Sequence, residues 1–147
     1  MRPRILLFED NDNLRFTLKL ILRDKGFEVF TFSDPRMCPV FDAANHSCPE
    51  DHACADIIIS DLNMPTKTGL ELINERQRKK CKVKYRALMS GDWTDSDLKY
   101  AQELGCHILH KPFEINEMLQ WLDDCIKNIN PERNLSSLLA KPNQTSD

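Results

Sequence analysis

The chain has 147 residues, of which 41% are hydrophobic and 29% are charged, and its formal net charge is −3. This size and composition fit one ordinary domain, and the slightly acidic charge gives no reason to expect nucleic-acid binding. Only four apolar residues precede the first acids in MRPRILLFEDND, too few for a signal peptide or a membrane span. We therefore expect a cytoplasmic protein with no membrane association, whose six cysteines do not form a disulfide framework.

Short apolar runs alternate with amphipathic stretches along the chain. The apolar runs predict five strands, at residues 4–8, 28–32, 56–60, 85–89 and 107–110. Apolar residues at helical spacing predict helices at residues 12–25, from about 69, at 94–105 and at 115–129. This alternation favours parallel strands, because each crossover between them is usually a helix. We therefore predict an α/β fold: a five-stranded parallel sheet in the flavodoxin-like order 2-1-3-4-5, with helices on both faces.

Polar side chains follow four of the predicted strands. Glu9 and Asp10 follow the first strand, Asp61 the third, Ser90 the fourth and Lys111 the fifth. The carboxyl ends of parallel strands meet at one edge of the sheet, so we expect these groups to lie together. Crowded carboxylates repel one another, and a hard cation such as Mg²⁺ relieves that repulsion. A lysine and a hydroxyl at the same place suit the oxygens of a phosphoryl group.

Four stretches of the chain also carry a family resemblance: FEDND, DIIISDLNMPTKTG, ALMSGD and HKPFE. They resemble, in order and spacing, the signature motifs of the receiver domain of bacterial two-component response regulators. The resemblance extends over roughly residues 3–128 and is closest to single-domain receivers of the chemotaxis type. It also implies a cis peptide bond between Lys111 and Pro112.

The resemblance implies a role for each polar residue at this edge. Asp61 would accept a phosphoryl group from the phosphohistidine of a sensor histidine kinase or a phosphotransfer protein. Ser90 and Lys111 would contact the phosphoryl oxygens. The ligands of the Mg²⁺ cofactor would be Glu9, Asp10, Asp61 and the backbone carbonyl of Asn63. Such a protein changes conformation to signal a downstream partner, and it catalyses only its own phosphotransfer and dephosphorylation.

Two positions depart from the family pattern. Ile108 stands three residues before Lys111, where the family usually has a tyrosine or phenylalanine that moves during activation. Gly91 stands where alanine is commoner, which loosens the loop after Ser90. The departures predict that the signal leaves the domain through other residues, with Trp93 and Tyr100 as candidates.

The segment between the second and third strands is longer than the family pattern. Three prolines leave room for only a short helix within residues 36–45. This insert, at about residues 36–55, contains five side chains that can bind metal: Cys38, His46, Cys48, His52 and Cys54. These side chains suggest an alternative function, that of a metal or redox sensor that binds zinc or iron. The competing interpretation is structural, with Cys38 and Cys54 buried and the histidines in solvent.

Other features have simpler interpretations. A phosphatase or flavodoxin-like enzyme is disfavoured, because the four glycines form no phosphate-binding cluster and Asn63 stands where aspartyl phosphatases have a second acid. Seven cationic residues between Arg76 and Arg86 fit a solvated surface better than a nucleic-acid site. We place the receiver domain at residues 1–130, followed by a short, flexible polar tail at 131–147.

Overall fold

The computed structural model describes residues 1–37 and 52–136, and the sheet dominates this part of the molecule. Its strands are β1 (Arg4–Phe8), β2 (Glu28–Phe32), β3 (Ile57–Asp61), β4 (Tyr85–Ser90) and β5 (His107–His110). All neighbouring strands are parallel, in the order β2-β1-β3-β4-β5. The predicted sheet and its strand order are confirmed.

The helices begin and end close to the predicted residues. They are α1 (Asp12–Asp24), α2 (Gly69–Arg78), α3 (Asp95–Glu103) and α4 (Ile115–Lys127). Thr68 begins α2 with a reciprocal capping box to Glu71, and Thr94 accepts a hydrogen bond from the Asp97 N–H at the start of α3. Gly26 and Gly105 follow α1 and α3 with φ angles of 98° and 76°, a backbone conformation that glycine adopts without strain.

Two hydrophobic layers cover the two faces of the sheet. On one face, Leu6, Ile58 and Leu88 pack in a cluster with Leu72 of α2 and Ala101 of α3. The other layer joins the alternate strand residues to α1 and α4; it includes Ile5, Leu7, Ile57, Ile59, Leu18, Leu22, Met118 and Leu122. Because the central strands are buried on both sides, their sequences are continuously apolar rather than alternating.

Some predicted boundaries differ from the structure by one or a few residues. β3 includes Asp61 as its last residue, and α4 ends at Lys127 rather than at residue 129. A short 3-10 helix occupies Pro35–Met37, and the rest of the helix predicted within residues 36–45 lies outside the described residues. None of the described helices combines the length and hydrophobicity needed to cross a membrane.

The chain after α4 returns to the amino ends of the strands. The Arg133 guanidinium donates two hydrogen bonds, of 2.9 and 2.6 Å, to the buried carboxylate of Asp56. The Ser136 N–H donates to the carbonyl of Ala53 at 2.8 Å, and the Ser136 carbonyl accepts from Arg4 at 2.9 Å. Residues 133–136 are thus held against the sheet, while the domain boundary at residue 130 and the flexible tail stay predictions.

We expect Arg133→Ala to lower the free energy of unfolding by about 2 kcal/mol, because it leaves the Asp56 carboxylate buried with one fewer cation. Urea unfolding measures the loss. The control is Lys127→Ala, which removes an exposed pair with Asp124 at 3.8 Å and should cost less than about 0.5 kcal/mol. Equal urea midpoints of unfolding for the two variants would show that the contact between Arg133 and Asp56 adds no stability.

Candidate functional site

Three carboxylates come together at the carboxyl edge of the sheet. β1 and β3 are neighbours with Phe8 opposite Ser60, so the residues that follow, Glu9 and Asp61, lie side by side. One ligand oxygen from each of Glu9, Asp10 and Asp61 lies within 4.8 Å of the others. Glu9 and Asp61 are buried, whereas Asp10 is exposed and leaves the cluster open to solvent. A cation can therefore reach a cluster whose other two acids are shielded from water.

The orientation of Glu9 is fixed by its neighbours. Its backbone N–H donates to the Phe32 carbonyl at 3.0 Å, which extends the pairing between the first two strands. Its carboxylate accepts from the Asn11 N–H at 3.1 Å, and its carbonyl accepts from the Arg15 guanidinium at 2.9 Å. Asn11 also caps α1, so the start of this helix and the acid are held together.

Lys111 forms ion pairs with two of these acids. Its ammonium group donates to Glu9 at 3.0 Å and to Asp61 at 3.2 Å. The Lys111–Pro112 peptide bond is cis, as the resemblance implied. Burial alone would lower the pKa of Lys111, but its hydrogen bonds with both carboxylates and their charges raise it. The ammonium therefore stays charged.

Asp61 has an unusual protonation equilibrium. Burial, followed by the negative charge of Glu9, raises its pKa to about 7, although Lys111 acts in the opposite direction. A single lysine thus does not compensate the crowded carboxylates. A divalent cation would, and the three oxygen donors are of the type that Mg²⁺ prefers. The residues present therefore fit Mg²⁺.

Ser90 lies beside the acids at the end of β4, in the position after the register partner of Asp61. Its buried hydroxyl accepts hydrogen bonds from the Asp92 N–H at 3.0 Å and from the Asn63 side chain at 3.3 Å. The Lys111 N–H donates to the Ser90 carbonyl at 2.8 Å. The loops after β3, β4 and β5 are therefore connected around Ser90.

A further contact restrains the loop that carries Asn63. The Thr66 hydroxyl donates to the Asp34 carboxylate at 2.9 Å, and Asp34 also accepts from Arg36. The hydrogen bond from Arg36 is the main cause that lowers the pKa of Asp34 to about 2. Asp34 follows β2 by two residues, and it was not predicted because the predicted site included the ends of the other four strands only.

Ile108 and Trp93 pack on the same side of the sheet, against the layer that contains α2 and α3. The Trp93 indole N–H donates to the Leu109 carbonyl at 3.1 Å, and the Trp93 ring packs edge-on against the His110 ring with 6.2 Å between the ring centroids. Trp93 therefore connects the loop after Ser90 to β5. Tyr100 is exposed on α3. The structure thus links Trp93 to β5, and the output roles of Trp93 and Tyr100 stay predictions.

Two of the five candidate ligands of the insert lie within the described residues. Cys38, His46 and Cys48 lie outside the described residues, while His52 is exposed and Cys54 is buried. Within residues 1–37 and 52–136, the group of side chains placed to hold a metal is the acid cluster. Elsewhere in the chain, burial raises the pKa of Cys106 to about 11 and that of Cys125 to about 12, which keeps both thiols protonated and unreactive.

Comparison with known proteins identifies the family. The sequence model described as "Response regulator receiver domain" matches residues 5–123. The chain belongs to this family, whose members accept phosphoryl groups and signal, and which generally bind Mg²⁺ at an acidic pocket.

The chain is similar to curated transcriptional regulators of other organisms. It is 28% identical over 116 residues to the virulence transcriptional regulatory protein PhoP of Salmonella typhimurium, covering 79% of this chain and 48% of PhoP. It is 28% identical over 129 residues to the probable transcriptional regulator ycf29 of Pyropia yezoensis, covering 86% and 54%. The chain thus spans about half the length of these curated relatives.

Solved structures show the same fold. The chemotaxis protein CheY4 of Vibrio cholerae superposes with a TM-score of 0.67 at 25% identity, covering 85% of this chain and 99% of that one. The non-phosphorylated HemR receiver domain of Leptospira biflexa gives a TM-score of 0.69 at 26% identity, with coverage of 89% and 99%.

Proposed function

We propose that this protein is cytoplasmic and that it accepts a phosphoryl group on Asp61 from the phosphohistidine of a sensor histidine kinase or a phosphotransfer protein. The observation that carries the proposal is the juxtaposition of Asp61 with Glu9, Asp10 and Lys111 at the open edge of the sheet. Lys111 contacts both Glu9 and Asp61, and Asp61 is proposed as the acceptor because it stands in DIIISDLNMPTKTG, one of the stretches that resemble the family's motifs. The downstream partner is proposed to be another protein, with no direct contact to nucleic acid or membrane.

In the proposed transfer, an Asp61 carboxylate oxygen attacks the phosphorus atom of the phosphohistidine. The oxygen–phosphorus bond forms as the nitrogen–phosphorus bond breaks, and the electron pair of that bond returns to the imidazole of the donor. Mg²⁺, held by Glu9, Asp10, Asp61 and the Asn63 carbonyl, would supply positive charge that offsets the negative charge of the phosphoryl oxygens. The raised pKa of Asp61 means that bound Mg²⁺ would also favour the ionised, nucleophilic form.

Lys111 and Ser90 are proposed to contact the phosphoryl oxygens. Lys111 already lies 3.2 Å from the Asp61 carboxylate, so a phosphoryl group on Asp61 would stay within reach of its flexible side chain. The Ser90 hydroxyl can rotate to donate to a phosphoryl oxygen while it still accepts from the Asp92 N–H. Because the loop after Ser90 continues to Trp93, a movement of Ser90 would reach β5 and change the surface offered to a partner.

We also propose that the domain catalyses the hydrolysis of its own aspartyl phosphate. The attacking water needs polar groups that orient it on the open side of the phosphoryl group. Asn63 and Asp92 are both exposed, and both are hydrogen-bonded to Ser90, by a side chain and a backbone N–H respectively. Their polar side chains are therefore the candidates to position this water.

The proposal is tested with acetyl phosphate and Mg²⁺. Intact mass spectrometry should show one added phosphoryl group on the native chain. After acetyl phosphate is removed, the group should be lost on the order of minutes or less. Phosphorylation should also shift the indole N–H resonance of Trp93.

The control for this experiment is Asp61→Asn, which keeps the size of the side chain but removes the nucleophilic carboxylate. It should show no added phosphoryl group under the same conditions. An equal yield with the variant would exclude Asp61 as the acceptor, and an adduct that persists for many hours would exclude efficient self-hydrolysis.

A further inference from the structure

A cavity of about 320 Å³ lies at the edge of the sheet opposite the acid cluster. Its walls come from the chain just before β3 and β4 and from the chain that follows α4. It is distinct from the proposed phosphoryl site, because Asp56 at the cavity and Asp61 at the acid cluster stand at opposite ends of β3. The volume is at the lower end of the range of about 300–1,000 Å³ that small-molecule sites occupy.

The frame of this cavity is held by buried polar contacts. The Asp56 carboxylate accepts hydrogen bonds from the Arg133 guanidinium and from the Arg4 N–H. Arg4 in turn donates to the carbonyls of Cys54 and Ser136, each at 2.9 Å. These contacts join three separate segments of the chain. A cavity with walls fixed in this way is formed before a ligand arrives, which lowers the entropy lost on binding.

The charge of the lining favours an anion. The cavity is lined by three cationic side chains, those of Lys82, Lys84 and Arg133, and by one carboxylate, that of Asp56. Since Asp56 accepts both hydrogen bonds from Arg133, its negative charge is already compensated. Lys82 and Lys84 flank the buried Val83, and both lysines are exposed and line the cavity. Lys84 therefore brings a positive charge to the cavity in addition to the pair of Asp56 and Arg133.

The cavity also has an apolar side. Ala55 contributes from the chain just before β3 and Tyr85 from the start of β4, while Ile129 and Leu135 contribute from the chain after α4. Apolar walls with a few convergent polar groups are typical of sites for small organic ligands, whereas a solvated lysine surface has no such walls. Two of the cationic residues between Arg76 and Arg86 therefore have a place in a defined concave site.

We propose that this cavity binds a small organic anion: a carboxylate or phosphate monoester attached to one aromatic ring or a short apolar chain. The anionic group contacts Lys84, and the apolar part packs against Tyr85, Ile129 and Leu135. The site is separate from phosphorylation at Asp61, and its existence does not depend on the proposed function.

The test is a titration of the full chain followed by ¹H–¹⁵N spectra, with benzoate and phenyl phosphate as probes and benzyl alcohol as the uncharged analogue. It uses the Asp61→Asn background without Mg²⁺, so that binding at the acid cluster does not contribute. We expect at least one anionic probe to cause saturable shifts of the Tyr85, Ile129 and Leu135 amides. Benzyl alcohol should bind at least about fivefold more weakly. The anion that binds more tightly identifies carboxylate or phosphate as the preferred group.

Lys84→Ala tests the cationic contact, and Lys99→Ala, which removes an exposed lysine of α3, is the matched control. Lys84→Ala should weaken binding of the anionic probe about fivefold, and Lys99→Ala should leave it unchanged. Higher salt should also weaken binding. The proposal is overturned if no anionic probe gives saturable shifts at the cavity, if benzyl alcohol binds equally well, or if the two lysine variants bind alike.

Discussion

Replacing Asp61 with asparagine should stabilise the protein by about 3 kcal/mol at pH 8 in buffer without divalent cations. The native carboxylate is buried beside Glu9, and burial and this neighbouring charge raise its pKa to about 7. In the unfolded chain an aspartate ionises near pH 4. Ionisation at pH 8 therefore costs more in the folded state, and the neutral asparagine avoids that cost while it can still accept a hydrogen bond from Lys111.

The sign of the effect depends on pH in a defined way. Between about pH 4 and pH 7 the folded state holds the Asp61 proton that the unfolded state has lost, so stability of the native chain falls as pH rises through this range. Below about pH 4 both states are protonated, and the advantage of Asp61→Asn should vanish. Melting temperatures at pH 4 and pH 8 give the comparison, since most other titrating groups contribute equally to both chains.

Mg²⁺ should reduce the stability advantage of Asp61→Asn. The native chain should gain stability from millimolar Mg²⁺ at pH 8, whereas Asp61→Asn lacks one of the three carboxylates and should gain less. Asp10→Asn is the control, because the exposed Asp10 carboxylate costs little when ionised and its loss should change metal-free stability by less than about 1 kcal/mol. A stability gain for Asp61→Asn that is the same at pH 4 and pH 8 would contradict the assigned cause.

The positions of the acids follow from information that the sequence contains. Continuous apolar runs such as Ile57–Ile59 indicate strands buried on both faces, and glycines such as Gly26 and Gly105 mark helix ends. Once the strands are parallel, their carboxyl ends meet at one edge whatever the details of packing. The cluster of Glu9, Asp10 and Asp61 can therefore be predicted from periodicity and topology.

Contacts between distant polar side chains could not be predicted in this way. Arg133 pairs with Asp56 across 77 residues, and Thr66 pairs with Asp34 across 32. Periodicity shows which face of an element is buried, but it does not show which charged side chain meets which across the fold. The predicted domain boundary at residue 130 also rested on periodicity, because the polar residues after it show no helical or strand pattern.

The insert shows a second reason why part of the structure could not be predicted from the sequence. The three prolines between the second and third strands interrupt both strand and helix periodicity, so the sequence predicts possible ligands in the insert but not their arrangement. Of those ligands, Cys54 is placed with the apolar side chains of the core and His52 lies at the surface, where it lines the cavity near Asp56. The buried Cys54 and the exposed His52 are consistent with the structural interpretation, in which Cys54 is buried and the histidines lie in solvent.

We expect Gly69→Ala to lower the free energy of unfolding by about 3 kcal/mol, as overpacking of a buried position does. A Cβ atom at Gly69 would lie 2.6 Å from the Asp61 carbonyl oxygen and 2.7 Å from a methyl carbon of Leu88. The carbonyl belongs to the backbone of β3 and has little freedom to move, so α2 would have to shift away from the sheet. The Gly69 N–H also donates to the Leu62 carbonyl at 2.8 Å, and that contact would be strained as well.

The matched control is Gly91→Ala, because a Cβ atom there would lie 3.7 Å from the Lys111 carbonyl oxygen and 3.9 Å from the Lys111 Cβ, which are ordinary contacts. Alanine should be tolerated at Gly91 with a change of less than about 1 kcal/mol, in the stabilising direction because it restricts the unfolded chain. Thermal unfolding should separate the two variants by about 10 °C. Since Gly69 abuts the backbone of Asp61, Gly69→Ala should also slow phosphorylation by acetyl phosphate, whereas Gly91→Ala should be phosphorylated at the native rate. Similar melting temperatures for the two variants would mean that α2 can move from Asp61 at little cost, in contradiction to the close packing at Gly69.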